Sequence, residues 1–85
     1  MGWYPIHRAA YLGRVSEVKQ LLNRGALYNA VDSEGRTPLH FARIRRYGIK
    51  NDQVARILIK AGASDFAPHD LHGRTPVDMY TIYNT

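Results

Sequence analysis

Residues 35–42 have the sequence Gly-Arg-Thr-Pro-Leu-His-Phe-Ala, and this stretch decides the fold because parts of it recur on both sides. Its front half returns at residues 73–76, and its back half occurs earlier, at residues 5–9. Threonine followed by proline favours a helix start, since the hydroxyl accepts a bond from a first-turn N–H and proline has no N–H to leave unpaired. Residues 5, 38 and 76 are the corresponding prolines, at intervals of 33 and 38 residues. The chain therefore repeats one helix-starting unit.

Thr-Pro-Leu-His-x-Ala at a period of about 33 residues is the pattern of ankyrin repeats, and the chain resembles that family over nearly all its length. The resemblance implies an all-α repeat fold, a short ankyrin-type solenoid of helix-turn-helix units joined by β-hairpin-like loops. We expect one domain over residues 1–85. Its parts are repeat one at 4–35, repeat two at 36–73 with an insertion between its helices, and a partial repeat three at 74–85.

Apolar spacing locates the helices within each unit. In the first unit it predicts a short helix from Ile6 to about Leu12, then a second one that Gly25 ends. The second unit has four more residues between its two helices than the first unit has. These predict a longer first helix or a larger inter-helix loop at residues 43–50, with Asn51 or Asp52 as the next N-cap. Between the two units, residues 32–35 have the Asp-x-x-Gly pattern of a type I turn.

The third unit ends after one helix, so the count is two and a half repeats. Tyr80 stands where the earlier copies have Ala9 and Ala42, which suggests that this helix closes the stack. Repeat arrays need about three units for a continuous core. The shortfall predicts weak stability or self-association. Trp3 and Tyr4 either cover the first repeat as a cap or follow the end of a preceding one.

Composition and charge restrict the function classes. The chain has no cysteine, no apolar run near the roughly 20 residues of a membrane span and no signal peptide, so we expect a cytoplasmic location and no membrane partner. The formal net charge is +5. Residues 43–60 contain six basic residues and one acidic residue, which accounts for the whole imbalance. This segment predicts an acidic partner.

No arrangement of side chains points to catalysis. His7 and His40 occupy the histidine position of the repeat, where the resemblance implies a structural hydrogen bond, and Asp78 fills that position in the third unit. His69 and His72 have a spacing that could hold a metal, but no cysteine or third histidine accompanies them. The serines lie in no nucleophile motif. We expect no enzyme activity, no cofactor and no metal.

The resemblance implies that partners bind to the hairpin tips and the first helices, the fingers and palm of the stack. Together with the basic segment, this favours a non-catalytic protein–protein interaction module, an adaptor or inhibitor; the alternative is nucleic-acid binding through residues 43–60. The tip carboxylates Asp32, Glu34 and Asp70 are weaker candidates than the aromatic and arginine side chains, since the latter are the usual interface hot spots. The candidate partner-binding residues are Arg8, Tyr11, Leu12, Arg36, Phe41, Arg43, Ile44, Arg45, Arg46, Tyr47, Lys50, His72 and Arg74.

Overall fold

Five helices follow the repeat of the sequence in a computed structural model that describes residues 3–84. They are α1 (Pro5–Tyr11), α2 (Val15–Asn23), α3 (Pro38–Ile44), α4 (Ile49–Ala61) and α5 (Pro76–Tyr83). No strand is found within residues 3–84, and the nearest approach to one is a single bridge between Ser64 and Ala67. The predicted all-α fold is confirmed. None of the helices in this part of the chain has the length and hydropathy needed to cross a bilayer.

The helices form two rows. The inner row consists of α1, α3 and α5, in which α3 packs between the other two; α2 and α4 form the outer row behind α1 and α3. The core lies between the rows and includes Ile6, Val18, Leu39, Val54 and Leu58, all fully or almost fully buried. Within the described residues α5 contacts α3 and does not reach α4.

Small residues let the inner helices approach closely. Ala9 and Ala42 are completely buried at the start of their repeats. In α5 the corresponding Tyr80 is half-exposed, and the guanidinium of Arg45 lies over its ring at 5.6 Å. One residue beyond α5, the side-chain amide of Asn84 donates to the carbonyl oxygens of Arg43 at 3.3 Å and Tyr80 at 3.0 Å. These contacts fasten the end of α5 to the end of α3.

The second unit places its extra residues differently from the prediction. Helix α3 has seven residues, as α1 has, whereas α4 has 13 residues and α2 only nine. The expectation of a longer first helix is therefore wrong, and the connection at residues 45–48 is one residue longer than that at 12–14. The N-cap of α4 is Gly48, not Asn51 or Asp52. The extra residues mostly add a turn to the start of α4.

Buried Asn51 explains why α4 starts early. Its side-chain oxygen accepts a hydrogen bond from the N–H of Tyr47 at 2.6 Å, and its amide donates to the carbonyl oxygens of Ala10 at 2.8 Å and Tyr11 at 3.1 Å. The side chain thus satisfies backbone groups just before α4 and at the end of α1. Gly13 lies beside this contact with φ at +68°, and a Cβ there would be 2.9 Å from the Cβ of Lys50. Only glycine allows α4 to come this close.

The predicted turn at residues 32–35 forms, with the N–H of Gly35 donating to the carbonyl oxygen of Asp32 at 3.1 Å. Oδ1 of Asp32 also accepts from the N–H groups of Glu34 and Arg36, each at 2.9 Å. Residues 70–74 repeat these bonds around Asp70. The two tips are joined where the N–H of Leu71 donates to the carbonyl oxygen of Glu34 at 2.9 Å.

Replacing Asn51 tests how the two units are joined. Asn51→Ala removes one hydrogen bond from each of three backbone groups, so the free energy of unfolding should fall by about 2–4 kcal/mol. Urea unfolding followed by circular dichroism measures the loss. The exposed Gln53 of the same helix is the control, and Gln53→Ala should stay within about 0.5 kcal/mol of the parent. Equal effects of the two substitutions would show that the Asn51 contact does not couple the units.

Candidate partner-binding surface

Two buried histidines connect each unit to the next. Nδ1 of His40 accepts from the N–H of Thr37 at 3.0 Å, so its proton lies on Nε2, which donates to the carbonyl oxygen of Arg74 at 2.8 Å. His7 repeats this pattern: its Nε2 lies 2.7 Å from the carbonyl oxygen of Ala30 and 3.0 Å from that of Arg36. The structural interpretation of both histidines is confirmed. In the third unit Asp78 accepts from the N–H of Thr75 at 2.9 Å.

The environment of these histidines favours their neutral form. Burial lowers the pKa of His40, and it outweighs the hydrogen bond to the carbonyl of Arg74 and the charge of Asp70, which act in the opposite direction. Burial likewise lowers the pKa of His7. The carboxyl of Asp32 is also buried, which by itself raises its pKa, but bonds from the N–H groups of Arg36 and Glu34 and from the Arg36 guanidinium bring the pKa below its ordinary value.

Aromatic and arginine side chains form a continuous row over α1 and α3, which we call the aromatic strip. The ring of Trp3 packs edge-on against Phe41 at 4.7 Å and against Tyr11 at 5.9 Å between centroids. The Arg46 guanidinium lies 5.9 Å from the ring centre of Tyr11 and 5.8 Å from that of Tyr47. The strip thus comprises Trp3, Tyr11, Phe41, Arg46 and Tyr47.

Phe41 is the buried base of the strip and not its contact surface. Its side chain is 2% exposed, whereas Trp3 above it is 45% exposed. The expectation that Phe41 contacts a partner directly therefore needs correction, because Trp3 covers the ring. The sequence analysis considered Trp3 as a cap or as the end of a preceding repeat; a large aromatic residue next to the N-cap of α1 was the signal that it also offers surface.

The basic segment does not form one exposed cluster. Arg43 makes two hydrogen bonds of 2.8 Å to the carboxylate of Asp65, and Arg45 makes bonds of 2.7 and 2.9 Å to that of Asp52. Arg45 also ends α3 in the left-handed conformation, with φ at +57°. Both guanidinium groups thus join elements within the chain. This placement argues against Arg43 and Arg45 as partner contacts.

The other members of the segment point in two directions. Arg46 and Tyr47 are exposed at the aromatic strip, while Lys50 is exposed on α4. Ile44 is only partly exposed and packs against the core, as Tyr11 does. Leu12 is also partly exposed and lines an open groove with Tyr47 and Lys50.

The two tip arginines differ in how firmly they are held. The Arg36 guanidinium donates to Asp32 at 3.1 Å and to Glu34 at 2.9 Å, and it lies 5.0 Å over the ring centre of Phe41. Arg74 is exposed, and the corresponding oxygen, Oδ2 of Asp70, is buried without a hydrogen-bond partner in the described chain. Sequence explains part of this difference. Arg36 lies over the ring of Phe41, and the position in the third unit that corresponds to Phe41 is Met79.

The strip borders an open depression of about 670 Å³ lined by Trp3, Tyr4, Arg8 and Arg36, among others. Arg8 is exposed at its wall. At the second tip, exposed His72 lies 2.9 Å from the carboxylate of Glu34. Within residues 3–84, no three histidine or carboxylate side chains are close enough together to hold a metal ion. The surface is thus suited to contacts through rings and guanidinium groups.

Comparison with known proteins gives the family. A sequence model described as ankyrin repeats, in three copies, matches residues 1–66. The chain belongs to the ankyrin repeat family. Ankyrin repeats are in general non-enzymatic protein–protein interaction modules, and the predicted family and fold are confirmed.

Its relatives are much longer proteins. The ankyrin chain is 36% identical to mouse Rabankyrin-5 over 82 residues, which cover 96% of this chain and 7% of that protein. It is 38% identical to an ankyrin repeat protein of Rickettsia bellii over 78 residues, 88% of this chain and 31% of the relative. The fruit-fly ARF GTPase-activating protein Git is 44% identical over 43 residues, or 51% of this chain.

The buried histidines make the stability of this ankyrin domain depend on pH. Their pKa is lower in the folded chain than the ordinary 6.5, so the unfolded chain binds more protons below that value. The free energy of unfolding should be highest above about pH 6.5 and fall progressively as the pH decreases below it. Urea unfolding at a series of pH values measures this dependence.

Replacing His40 measures what this one histidine contributes to the free energy of unfolding and to its pH dependence. His40→Ala should lower the free energy of unfolding near neutral pH by about 1–3 kcal/mol and reduce the slope below pH 6.5. The exposed His69 provides the control: His69→Ala should keep the slope and cost no more than about 0.5 kcal/mol. A slope unchanged by His40→Ala, or a loss of stability on adding EDTA, would contradict the structural role.

Proposed function

We propose that this ankyrin domain is a non-catalytic binding module, an adaptor or inhibitor in the cytoplasm, that holds an acidic protein partner against the aromatic strip. The observation that carries the proposal is Arg46, which lies between the rings of Tyr11 and Tyr47 beside the exposed Trp3. Tryptophan, tyrosine and arginine are the residue types that dominate the binding energy of protein interfaces.

The strip is suited to recognition because its parts are already ordered. Trp3, Tyr11 and Phe41 hold one another in edge-to-face contacts, so little side-chain freedom remains to be lost on binding. One N–H of Arg46 donates to the Tyr11 hydroxyl at 3.5 Å, and its remaining N–H groups are available to a carboxylate. An acidic side chain on the partner is therefore the fitting counterpart of Arg46.

Several side chains extend the contact beyond the strip. Arg8 lies at the wall of the depression next to Trp3, and Arg74 and His72 are exposed at the second tip. Arg74 is the more available tip arginine, since Arg36 is held by two carboxylates. Leu12 and Ile44 are only partly exposed, so they support this surface more than they offer contact area of their own.

Nucleic-acid binding through residues 43–60 is less well supported than protein binding. It depended on one continuous basic segment, yet Arg43 and Arg45 are paired with carboxylates. The other cations of the segment divide between Arg46 at the aromatic strip and Lys50, Arg56 and Lys60 on α4, so the segment is not one surface. The two tyrosines beside Arg46 offer stacking faces, so nuclease treatment belongs in the binding experiment.

Self-association is a further part of the proposal. Four exposed apolar side chains belong to α5 or to the loop that precedes it: Phe66, Tyr80, Ile82 and Tyr83. Exposed apolar groups at the open end of a repeat stack favour association. Sedimentation velocity over a concentration series should show reversible growth in mass, and Phe66→Ser with Tyr83→Ser should shift it toward the monomer. A monomer at every concentration would contradict this part.

The binding proposal is tested with two double variants of equal charge change. Arg46→Glu with Tyr47→Ser alters the strip, and Lys19→Glu with Gln20→Ser makes the matched change on α2. Proteins captured from cell extract by the immobilised parent chain should be retained by the α2 variant. The strip variant should lose at least about 90% of them, because truncating a hot-spot pair costs about 2 kcal/mol or more.

Two results would overturn the proposal once circular dichroism has shown that both variants fold. One is equal capture by the strip variant and the parent. The other is capture that disappears on nuclease treatment, which would favour the nucleic-acid alternative. Weaker capture at high salt is expected in addition, since exposed charges are screened over about 8–10 Å at physiological ionic strength.

A further inference from the structure

The outer row of helices carries a second charged surface, which sequence reasoning did not find. We call it the outer face and define it by five exposed cations: Lys19, Arg24, Lys50, Arg56 and Lys60. Two of them lie outside the basic segment, on α2 and at its C-cap, and α2 packs beside α4, which carries the other three. All three lysines of the chain are on this face.

Helical periodicity aligns these side chains. Along α4, exposed positions 53, 56 and 60 recur at intervals of three or four residues on the side opposite the buried Val54 and Leu58, and exposed Lys50 lies at the edge of that side, one turn before Val54. On α2, Lys19 follows the fully buried Val18 and therefore lies away from the core. Because both helices bury their other side against α1 and α3, their exposed sides form one broad surface.

Nearby carboxylates do not neutralise this surface. Glu17 pairs with Arg14 at 3.4 Å, and the carboxylate of Asp52 is held by Arg45 at 2.7 Å. Among residues 3–84, none of the five cations of the outer face lies in an ion pair. Lys19, Arg24, Arg56 and Lys60 thus carry unpaired positive charge on the outer helices, and Lys50 adds a fifth at the edge next to Tyr47.

Aliphatic side chains at both ends of α4 indicate which polyanion fits. Ile49 is 71% exposed and Ile59 is 40% exposed. Neither α2 nor α4 contains an aromatic residue on which a base could stack. Lysines act as point charges that tolerate many geometries, and exposed aliphatic groups beside them can enter the boundary between lipid headgroups and acyl chains.

We propose that the outer face contacts the surface of an anionic lipid bilayer. Phosphate and carboxylate headgroups would neutralise the five cations, and Ile49 and Ile59 would enter the headgroup region. This site is separate from the aromatic strip and does not depend on the proposed protein partner. The chain can therefore lie on a membrane with its outer helices while the inner helices and tips remain available for a protein.

The experiment measures binding of the whole chain to vesicles of phosphatidylcholine with and without about 30% phosphatidylserine. The test variant is Lys19→Glu, Lys50→Glu and Lys60→Glu; the control, Arg8→Glu, Arg46→Glu and Arg74→Glu, changes the net charge equally on the other side. The parent should co-sediment only with anionic vesicles, and less so at high salt. The test variant should bind at least about 100-fold more weakly, because each cation at the surface contributes about fivefold.

A second variant examines the aliphatic contacts. Ile49→Ser with Ile59→Ser should weaken vesicle binding by at least about tenfold, since each buried isoleucine contributes through the apolar area it removes from water. The same variant should not change binding to a short DNA duplex, measured by fluorescence anisotropy. Circular dichroism and urea unfolding confirm that each variant keeps the fold of the parent.

Three outcomes would overturn the proposal. Equal losses in the test and control variants would show that only net charge matters. Insensitivity to the isoleucine substitutions, with tighter binding to the DNA duplex than to vesicles, would assign the face to a nucleic-acid backbone. Absence of binding to anionic vesicles at low salt would show that the outer face does not contact a bilayer. The control variant separates the two proposals, because it should lose protein capture and keep vesicle binding.

Discussion

The bond from a buried, neutral imidazole to a carbonyl of the next turn is the interaction on which the stack depends. His40 reaches from the start of α3 to Arg74, and His7 reaches from the start of α1 to Ala30 and Arg36. Each ring also accepts a hydrogen bond from the helix entrance behind it, which fixes its tautomer. A single side chain therefore stabilises the start of its own helix and also holds the backbone that leads into the next unit.

Ion pairs within the chain decide which cations remain for binding. Arg36, Arg43 and Arg45 are held by carboxylates at the tips and between the helices. What remains separates into two surfaces of different chemistry. One combines arginine with aromatic rings on the inner helices, and the other combines lysine with isoleucine on the outer helices. The net charge of +5 does not indicate that the unpaired cations divide between these two surfaces.

Local patterns in the sequence were sufficient for the starts of α1, α3 and α5 and for the turn at residues 32–35, because each depends on residues within a few positions of one another. The structural role of His7 and His40 came from the family resemblance, since their partners are distant in sequence. The earlier start of α4 could not be found in this way, because Asn51 is satisfied by Ala10 and Tyr11 from the preceding unit. Helix ends that depend on tertiary contacts are not visible in local propensity.

The candidate surfaces were only partly predictable for the same reason. Tyr11, Arg46 and Tyr47 do lie together, but the burial of Phe41 depends on Trp3, and the pairing of Arg43 depends on Asp65. The outer face needs α2 and α4 to be neighbours before Lys19 and Lys60 can belong to one surface.

The attachment of α5 has a consequence for the order in which the molecule opens. Within residues 3–84 this helix contacts only α3 among the helices. It is also held by Arg45 over the ring of Tyr80 and by bonds from His40 to Arg74, from Val77 to Asp65 and from Asn84 to the end of α3. Its release leaves the packing of α1, α2 and α4 in place. Helix α5 therefore behaves as its own cooperative unit, whose amide protons exchange through local opening at a lower free energy than those of the first two units. Each such opening uncovers the side of α3 that α5 covers while most of the domain stays folded.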